Sequence, residues 1–263
     1  MILGVIGAGS MGSAIIRGYI ASGADPGEIH VCGHHPEKLE KMSEELGFRI
    51  AASAADLTEK CDMVLLAVKP KDAESVLREI SPVFKADQIL ISIAAGKTIS
   101  FLSSACPSAE KIVRVMPNTP ALVREGMSAL SRSEKVTDRD YEEVEKIFRG
   151  TGSAKEVPEH LMDAVTGLSG SGPAFVYLFI EAMADGGVLC GLPRAQALEM
   201  AAQTVCGAAR MVLETGDHPA SLKDAVCSPG GTTIEGVREL EAGGLRSTVI
   251  EAVTAACEKS KAL

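Results

Sequence analysis

The feature that most constrains this chain stands at its start. An apolar run, Ile2 to Ile6, leads directly into Gly7-Ala8-Gly9-Ser10-Met11-Gly12, and a helix-like stretch follows from Ser10 to Ser22. The spacing G-x-G-x-x-G between a strand and a helix is a demand on the backbone. The first glycine makes a tight turn, the second leaves room for a pyrophosphate, and the third lets the helix pack closely on the strand. The helix start offers N–H groups with no partner inside the helix, at the positive end of its dipole. Ile6, Gly7, Ala8, Gly9, Ser10, Met11 and Gly12 are therefore the first cofactor-binding candidates. A bare glycine turn is the alternative, and the position of the motif inside a βαβ unit favours the dinucleotide.

Strand-like and helix-like segments then alternate. Strands are expected at Glu28–Gly33, Phe48–Ala51, Asp62–Val68, Gln88–Ile93, Ile112–Met116 and Met127–Ser131. Helices are expected at Pro36–Leu46, Ser53–Lys60, Lys71–Ile80 and Asp138–Arg149, with Ser53 and Asp56 spaced as a capping box. This alternation predicts an α/β fold, an N-terminal Rossmann domain with a doubly wound, mainly parallel sheet. Past Gly150 to Pro158 the strand signals almost vanish. Alanine-rich helical stretches take over at Gly172–Cys190, Arg194–Thr215 and Gly244–Ser260. The expected division is a Rossmann domain over 1–155 and an all-α domain over 156–263. Small residues such as Ala182, Gly186, Gly187 and Ala201 permit the close helix packing of a subunit interface.

Composition narrows the function classes. The net charge is −9, so long-range attraction to nucleic acid or an anionic membrane is disfavoured. Trp is absent and aromatics make up 3%, too few for base-stacking platforms. The seven cysteines stand singly, with no C-x-x-C pair, which argues against zinc and disulfides and for a reducing cytoplasm. Most of them read as small buried hydrophobes. The five histidines form no metal-ligand pattern, and no metal is expected. The apolar start reads as a buried strand, and no run is read as long enough to span a bilayer.

An NAD site usually carries an acid at the end of the second strand, to hold the ribose 2′-OH. Here that stretch is Cys32-Gly33-His34-His35-Pro36, and the first acid, Glu37, lies past the proline. The missing carboxylate favours NADPH, with NADH as the alternative. His34, His35 and Lys38 then face a 2′-phosphate, unless the histidines are simply solvent-facing loop residues. Ala67-Val68-Lys69-Pro70 and Ala94-Ala95-Gly96 follow the fourth and fifth strands, at the strand ends where such sheets bind ligands. Lys69 reads either as functional or as a surface lysine. Far downstream, Ser228-Pro229-Gly230-Gly231-Thr232-Thr233 opens a helix over Ile234–Ala242. Beside a dinucleotide domain, this second glycine-rich helix start reads as a carboxylate trap.

Four further segments make the reading specific: Val115-Met116-Pro117-Asn118-Thr119-Pro120, Asp163 to Ala174, Gly191-Leu192-Pro193-Arg194, and Leu222 to Glu241. With Ala67 to Pro70 they make the chain resemble the pyrroline-5-carboxylate reductase family along nearly its whole length. The resemblance implies NAD(P)H-dependent reduction of the cyclic imine 1-pyrroline-5-carboxylate to L-proline, the last step of proline biosynthesis. It implies a C-terminal domain that dimerises by interleaving, in a homodimer or a pentamer of dimers. It places the substrate on Ser228, Gly230, Gly231, Thr232 and Thr233, with Thr233 as the catalytic residue. It adds Glu159 to the substrate site and Asn118 to the cofactor set. An alanine near Ala54, and Ala225 near the substrate loop, stand where some members carry asparagine, so the detailed cofactor contacts differ from those members while the main reaction is left intact.

Two other readings compete. A β-hydroxyacid dehydrogenase shares the first motif but needs a lysine in the glycine-rich helix start of its second domain, and Gly167 to Tyr177 contains none. A non-catalytic NADP-binding sensor has no use for the second glycine loop. A redox role for Cys227 is weighed against simple packing behind that loop, and packing is favoured.

Overall fold

A computed structural model of the chain describes residues 1–262. It resolves into two compact units: Met1–Gly170 together with the C-terminal residues from Ala256, and Ser171–Ala255.

The first unit runs β1 (Leu3–Ile6), α1 (Ser10–Ala21), β2 (Ile29–Cys32), α2 (Pro36–Leu46), β3 (Arg49–Ile50), α3 (Ala54–Lys60), β4 (Met63–Leu66) and α4 (Ala73–Ile80). It continues through β5 (Ile89–Ser92), α5 (Ile99–Ala105), β6 (Lys111–Met116), β7 (Gly126–Arg132), α6 (Asp138–Arg149), β8 (Gly152–Glu156) and α7 (Met162–Val165). The sheet order is β3-β2-β1-β4-β5-β6-β7-β8. Strands β3 to β6 are parallel, β7 runs antiparallel to β6, and β8 is parallel to β7. This is the doubly wound, mainly parallel sheet that the sequence predicts. The order reverses between β1 and β4, so their C-terminal ends flank the crevice where such sheets take a ligand.

Burial explains why these segments are strands. All four residues of β1 and of β4 are buried, as a sheet covered on both faces requires. Along β4, Met63 and Leu65 join one core with Ile15, Ile16, Val144, Ile147 and Phe148. Val64 and Leu66 join the other, with Leu57, Leu77, Ile80 and Leu102.

Helices α2 and α6 begin and end where the sequence places them. The cap at Ser53 is half a box: its hydroxyl accepts from Asp56 N, but Asp56 accepts from Ala52 N. The reciprocal box is at α6, where Thr137 accepts from Asp140 N and Asp140 accepts from Thr137 N. Thr137→Ala is expected to lower stability by about 1 kcal/mol. Urea unfolding checks this, and a loss within error of zero would show that the box contributes nothing.

The cysteines depart from expectation. Only Cys32, Cys61 and Cys106 are buried; Cys190 and Cys206 are exposed, and Cys227 and Cys257 are half-buried. Of the others, Cys206 and Cys257 lie on helices of the chain's second half and Cys190 and Cys227 just past the ends of two more, where apolar faces lie open. Burial pushes the Cys32 and Cys61 thiols up to about 12. Both should therefore resist iodoacetamide at pH 8 in the native chain and react once it is unfolded, as peptide mapping would show. Native labelling of either would contradict this.

The second unit consists of α8 (Gly172–Leu189), α9 (Arg194–Thr215), α10 (Pro219–Val226), α11 (Thr232–Ala242) and most of α12 (Leu245–Lys261). Helices α8 and α9 meet through small residues: Ala184, Ala197 and Ala201 are buried, and a Cβ on Gly187 would lie 3.1 Å from that of Ala197. Arg194 also donates to Asp185 across this pair. Elsewhere large apolar side chains lie open, including Leu178, Leu189 and Leu213. The continuous helical stretch Glu159–Leu189 is long and apolar enough to cross a membrane by length and composition. That corrects the sequence reading, which found no such run. Glycines and serines between 167 and 172 hide its continuity in the sequence, and a π-turn at Thr166–Gly170 carries the helical path through them. At the far end, the residues of α12 from Ala256 belong to the first unit, and Ser260 Oγ donates to Asp163 Oδ1 at 2.7 Å.

Candidate active site

The glycine loop is shaped by contacts that exclude a side chain. Gly7 has φ of +103° and its N–H donates to Cys32 O at 2.8 Å. A Cβ on Gly7 would lie 2.5 Å from Ala67 O, and one on Gly12 would lie 2.2 Å from Gly7 O. Gly9 is the opposite case, with no atom within 4 Å of where a Cβ would stand. Gly9 caps α1 without a side-chain hydrogen bond, so no side-chain cap covers the first-turn N–H groups. The loop is one wall of a cleft of about 390 Å³, whose other walls are Gly33–His35 with Lys38, and Ala67–Lys69 with Lys71 and Asp72. Lys71 and Asp72 carry no binding signal in the sequence, where they read as the ordinary first turn of a helix.

Not every cofactor candidate lines this cleft. Ile6 is buried at the end of β1 and accepts from Ala67 N at 2.8 Å, fixing the two strand ends together. Met11 packs on the core and Gly12 is buried beneath the loop. Pro70 is exposed just past Lys69. Ala94, Ala95 and Gly96 form a turn at the end of β5, with Gly96 at φ +73°. Asn118 has its side chain committed elsewhere: Nδ2 donates to Ser169 O at 3.0 Å and Oδ1 accepts from Met127 N at 2.8 Å. It braces β6 against β7 and the π-turn.

Glu159 is held in the first unit. Its Oε1 accepts from Ile99 N, at the start of α5, at 2.7 Å, and from Arg114 on β6 at 3.3 Å. Arg114 is a nearly buried cation that the sequence reading absorbed into an apolar strand; a charge inside a covered strand was the available signal. Glu159→Ala strands that cation and removes the acceptor of the Ile99 N–H, while the Thr98 cap of α5 stays in place. Allowing for the part-exposure of Glu159, the expected loss is about 2 kcal/mol in urea unfolding. An unchanged midpoint would refute the bracing role.

The second unit supplies the other glycine-rich helix start. Gly230 has φ of +66°, and Gly231 N donates to Ser228 O at 3.0 Å, closing a turn. A Cβ on Gly231 would lie 2.3 Å from Ser228 Oγ. Gly231 caps α11 with no side-chain bond. Thr232 and Ser228 are exposed, while Thr233 and the neighbouring Cys227 are half-buried. Each unit therefore carries one helix start suited to an anion, and both are built on glycine.

Comparisons with known proteins give the arrangement its context. Residues 159–263 match the family described as pyrroline-5-carboxylate reductase dimerisation, and residues 2–96 match that described as NADP oxidoreductase, coenzyme F420-dependent. The chain is 49% identical over 262 residues to the pyrroline-5-carboxylate reductase of Escherichia coli (strain K12), spanning 99% of this chain and 97% of that protein. The chain belongs to the pyrroline-5-carboxylate reductase family. Among solved structures, the reductase from Coxiella burnetii superposes with a TM-score of 0.94 at 36% identity, over 98% of this chain and 97% of that one. The Plasmodium falciparum pyrroline carboxylate reductase with NADP bound gives 0.88 at 38%, over 100% and 97%. Membership of the reductase family sets aside the hydroxyacid dehydrogenase and the sensor. The dimerisation match also falls on the residues whose apolar faces lie open in the single chain.

Proposed function

We propose that this chain reduces 1-pyrroline-5-carboxylate to L-proline with NADPH, the last step of proline biosynthesis. The observation that carries the proposal is the second glycine turn, Ser228 to Thr233, at the start of α11, in a chain that also keeps the dinucleotide loop. The open space at Gly9 and the uncapped start of α1 fit a pyrophosphate.

In this reading the cofactor domain is 1–155 and the substrate and dimerisation domain is 156–263. The backbone from Gly7 to Gly12 holds the pyrophosphate, and His34, His35 and Lys38 hold the 2′-phosphate. The strand ends at Ala67–Pro70 and Ala94–Gly96 support the rest of the dinucleotide, and Asn118 braces the end of β6 beside them. When bound, NADPH supplies the hydride. Ser228 and the N–H groups of Gly230 to Thr233 hold the substrate carboxylate, and the Thr233 hydroxyl holds the imine nitrogen. Glu159 orders the rim of the substrate site through Arg114 and α5. The carbon of a protonated imine is already electrophilic, so these groups need only orient it. The open apolar faces of α8 and α9 are covered in a homodimer, or in a pentamer of dimers built from it. The singly placed cysteines suit a reducing cytoplasm, and the net charge of −9 disfavours nucleic acid and anionic membranes as partners.

The test follows absorbance of NADPH, and separately NADH, with purified chain and DL-1-pyrroline-5-carboxylate. Oxidation dependent on the imine, faster with NADPH, is the expected result. No oxidation of either by a folded chain would overturn the proposal.

A further inference from the structure

A buried charge lies beneath the start of α5. Arg114 stands midway along β6 and is only 8% exposed. Its neighbours in register, Ser92 on β5 and Ser131 on β7, are buried too and carry no charge. Arg114 shares a sheet face with Ile112, which packs in one core with Leu102 of α5. The balancing carboxylate is Glu159, and a single oxygen of it accepts both from Arg114 and from Ile99 N. Helix α5 does not need that bond to begin, because Thr98 Oγ1 already accepts from Phe101 N at 3.1 Å. The Thr98 cap is local and moves with the helix. The Glu159 bond reaches across 60 residues and fixes where the helix starts. Between Ser92 and Thr98 lies the turn Ala94–Gly96, in which Ala94 N donates to Ser92 Oγ at 3.3 Å and Lys97 N to Ala94 O at 3.2 Å. Its upstream end is tied to β4, since Ile93 N donates to Leu66 O at 3.2 Å, one residue before Ala67 in the cofactor cleft. Its downstream end is held by Glu159 through Ile99.

We propose that Glu159, oriented by Arg114, is a positioning residue for hydride transfer: through Ile99 it fixes the turn Ala94–Gly96 and, with it, the nicotinamide end of the cofactor. This rests on the function proposed above and assigns that site a residue acting through another rather than by contact. A doubly wound sheet takes a dinucleotide as two halves. The pyrophosphate falls to Gly7–Gly12 and the 2′-phosphate to the end of β2, so the side of β4 to β6 is left to the nicotinamide. Contacts at the phosphates supply affinity, and the turn supplies aim. A shift of about 1 Å between reacting atoms can cost about 100-fold in rate. Loosening the turn therefore slows the hydride step and spares NADPH affinity.

The experiment follows a single turnover of NADPH oxidation in stopped flow, with the full chain in excess over NADPH and 1-pyrroline-5-carboxylate saturating. Its rate constant reports on folded, competent molecules, and calorimetry gives the NADPH dissociation constant alongside. Ile99→Pro removes the donor alone. Proline suits the first position of a helix, and Thr98 before it is already extended at φ −77° and ψ 162°, so α5 and the ion pair are kept. Arg114→Met/Glu159→Leu removes the acceptor and both charges together, which avoids a stranded cation. Glu159→Gln keeps an oxygen for Ile99 and for Arg114. Ile99→Pro and the double variant are expected to slow the single turnover at least about tenfold, with NADPH affinity within about threefold of the parent. Glu159→Gln should recover most of the rate that the double variant loses. A parent-like rate in Ile99→Pro or in the double variant overturns the proposal, because the pair then only balances charge. A loss of NADPH affinity that matches the loss of rate overturns it too, as does a Glu159→Gln chain as slow as Ile99→Pro. No turnover by the unmodified chain overturns the proposed function itself, and this proposal with it.

Discussion

Gly12→Ala is expected to raise the dissociation constant for NADPH at least about 100-fold while most of the fold survives. The argument is steric. The added Cβ would stand 2.2 Å from Gly7 O, inside any allowed contact, and that oxygen is backbone. Gly7 has little room to retreat, because its own N–H is bound to Cys32 O and its Cα faces Ala67 O. The loop must therefore lift off α1, and the N–H groups proposed to face the pyrophosphate lose their common aim. The sheet below does not depend on that aim, so calorimetry of NADPH binding and circular dichroism should separate. Binding within tenfold of the parent would mean the loop relaxes at little cost, and the steric account would fail.

Thr233→Ala is expected to lower kcat about 100-fold or more and to leave NADPH affinity unchanged. The hydroxyl stands in the first turn of α11, half-buried, beside N–H groups free of any side-chain cap. Removing it leaves the proposed carboxylate trap of Gly230 to Thr233 intact, so KM should move much less than kcat. Thr233→Ser keeps the hydroxyl and should recover most of the rate. Equal rates for the alanine and serine variants would remove Thr233 from the chemistry.

The Rossmann half was legible because its signals are local. Four-residue apolar runs, a glycine loop and proline-led helices each declare themselves within a short window. Strand β8 did not, since Gly152 to Glu156 is largely polar and only Ala154 is buried. Helix α5 did not, since seven residues with three serines carry little periodicity. The ties around the site were illegible for another reason. Glu159 meets Ile99 and Arg114, and Asn118 meets Ser169, across sequence gaps of 45 to 60 residues. No window reading can join partners so far apart. The open helical faces of the second unit belong to the same class, because what covers them is outside a single chain.

The return of the C-terminal helix to the first unit also sets an order of events. Ser260 and Asp163 meet across 97 residues of sequence, and the whole of Ser171–Ala255 lies between the two parts of the unit they join. On a ribosome, the nucleotide-binding layers can be made and collapse early. Their last contact waits until the helical insertion has been synthesised and has folded back. The N-terminal unit is thus the first to begin and the last to finish, so a nascent chain can present a shaped dinucleotide loop before it has a complete domain beneath it.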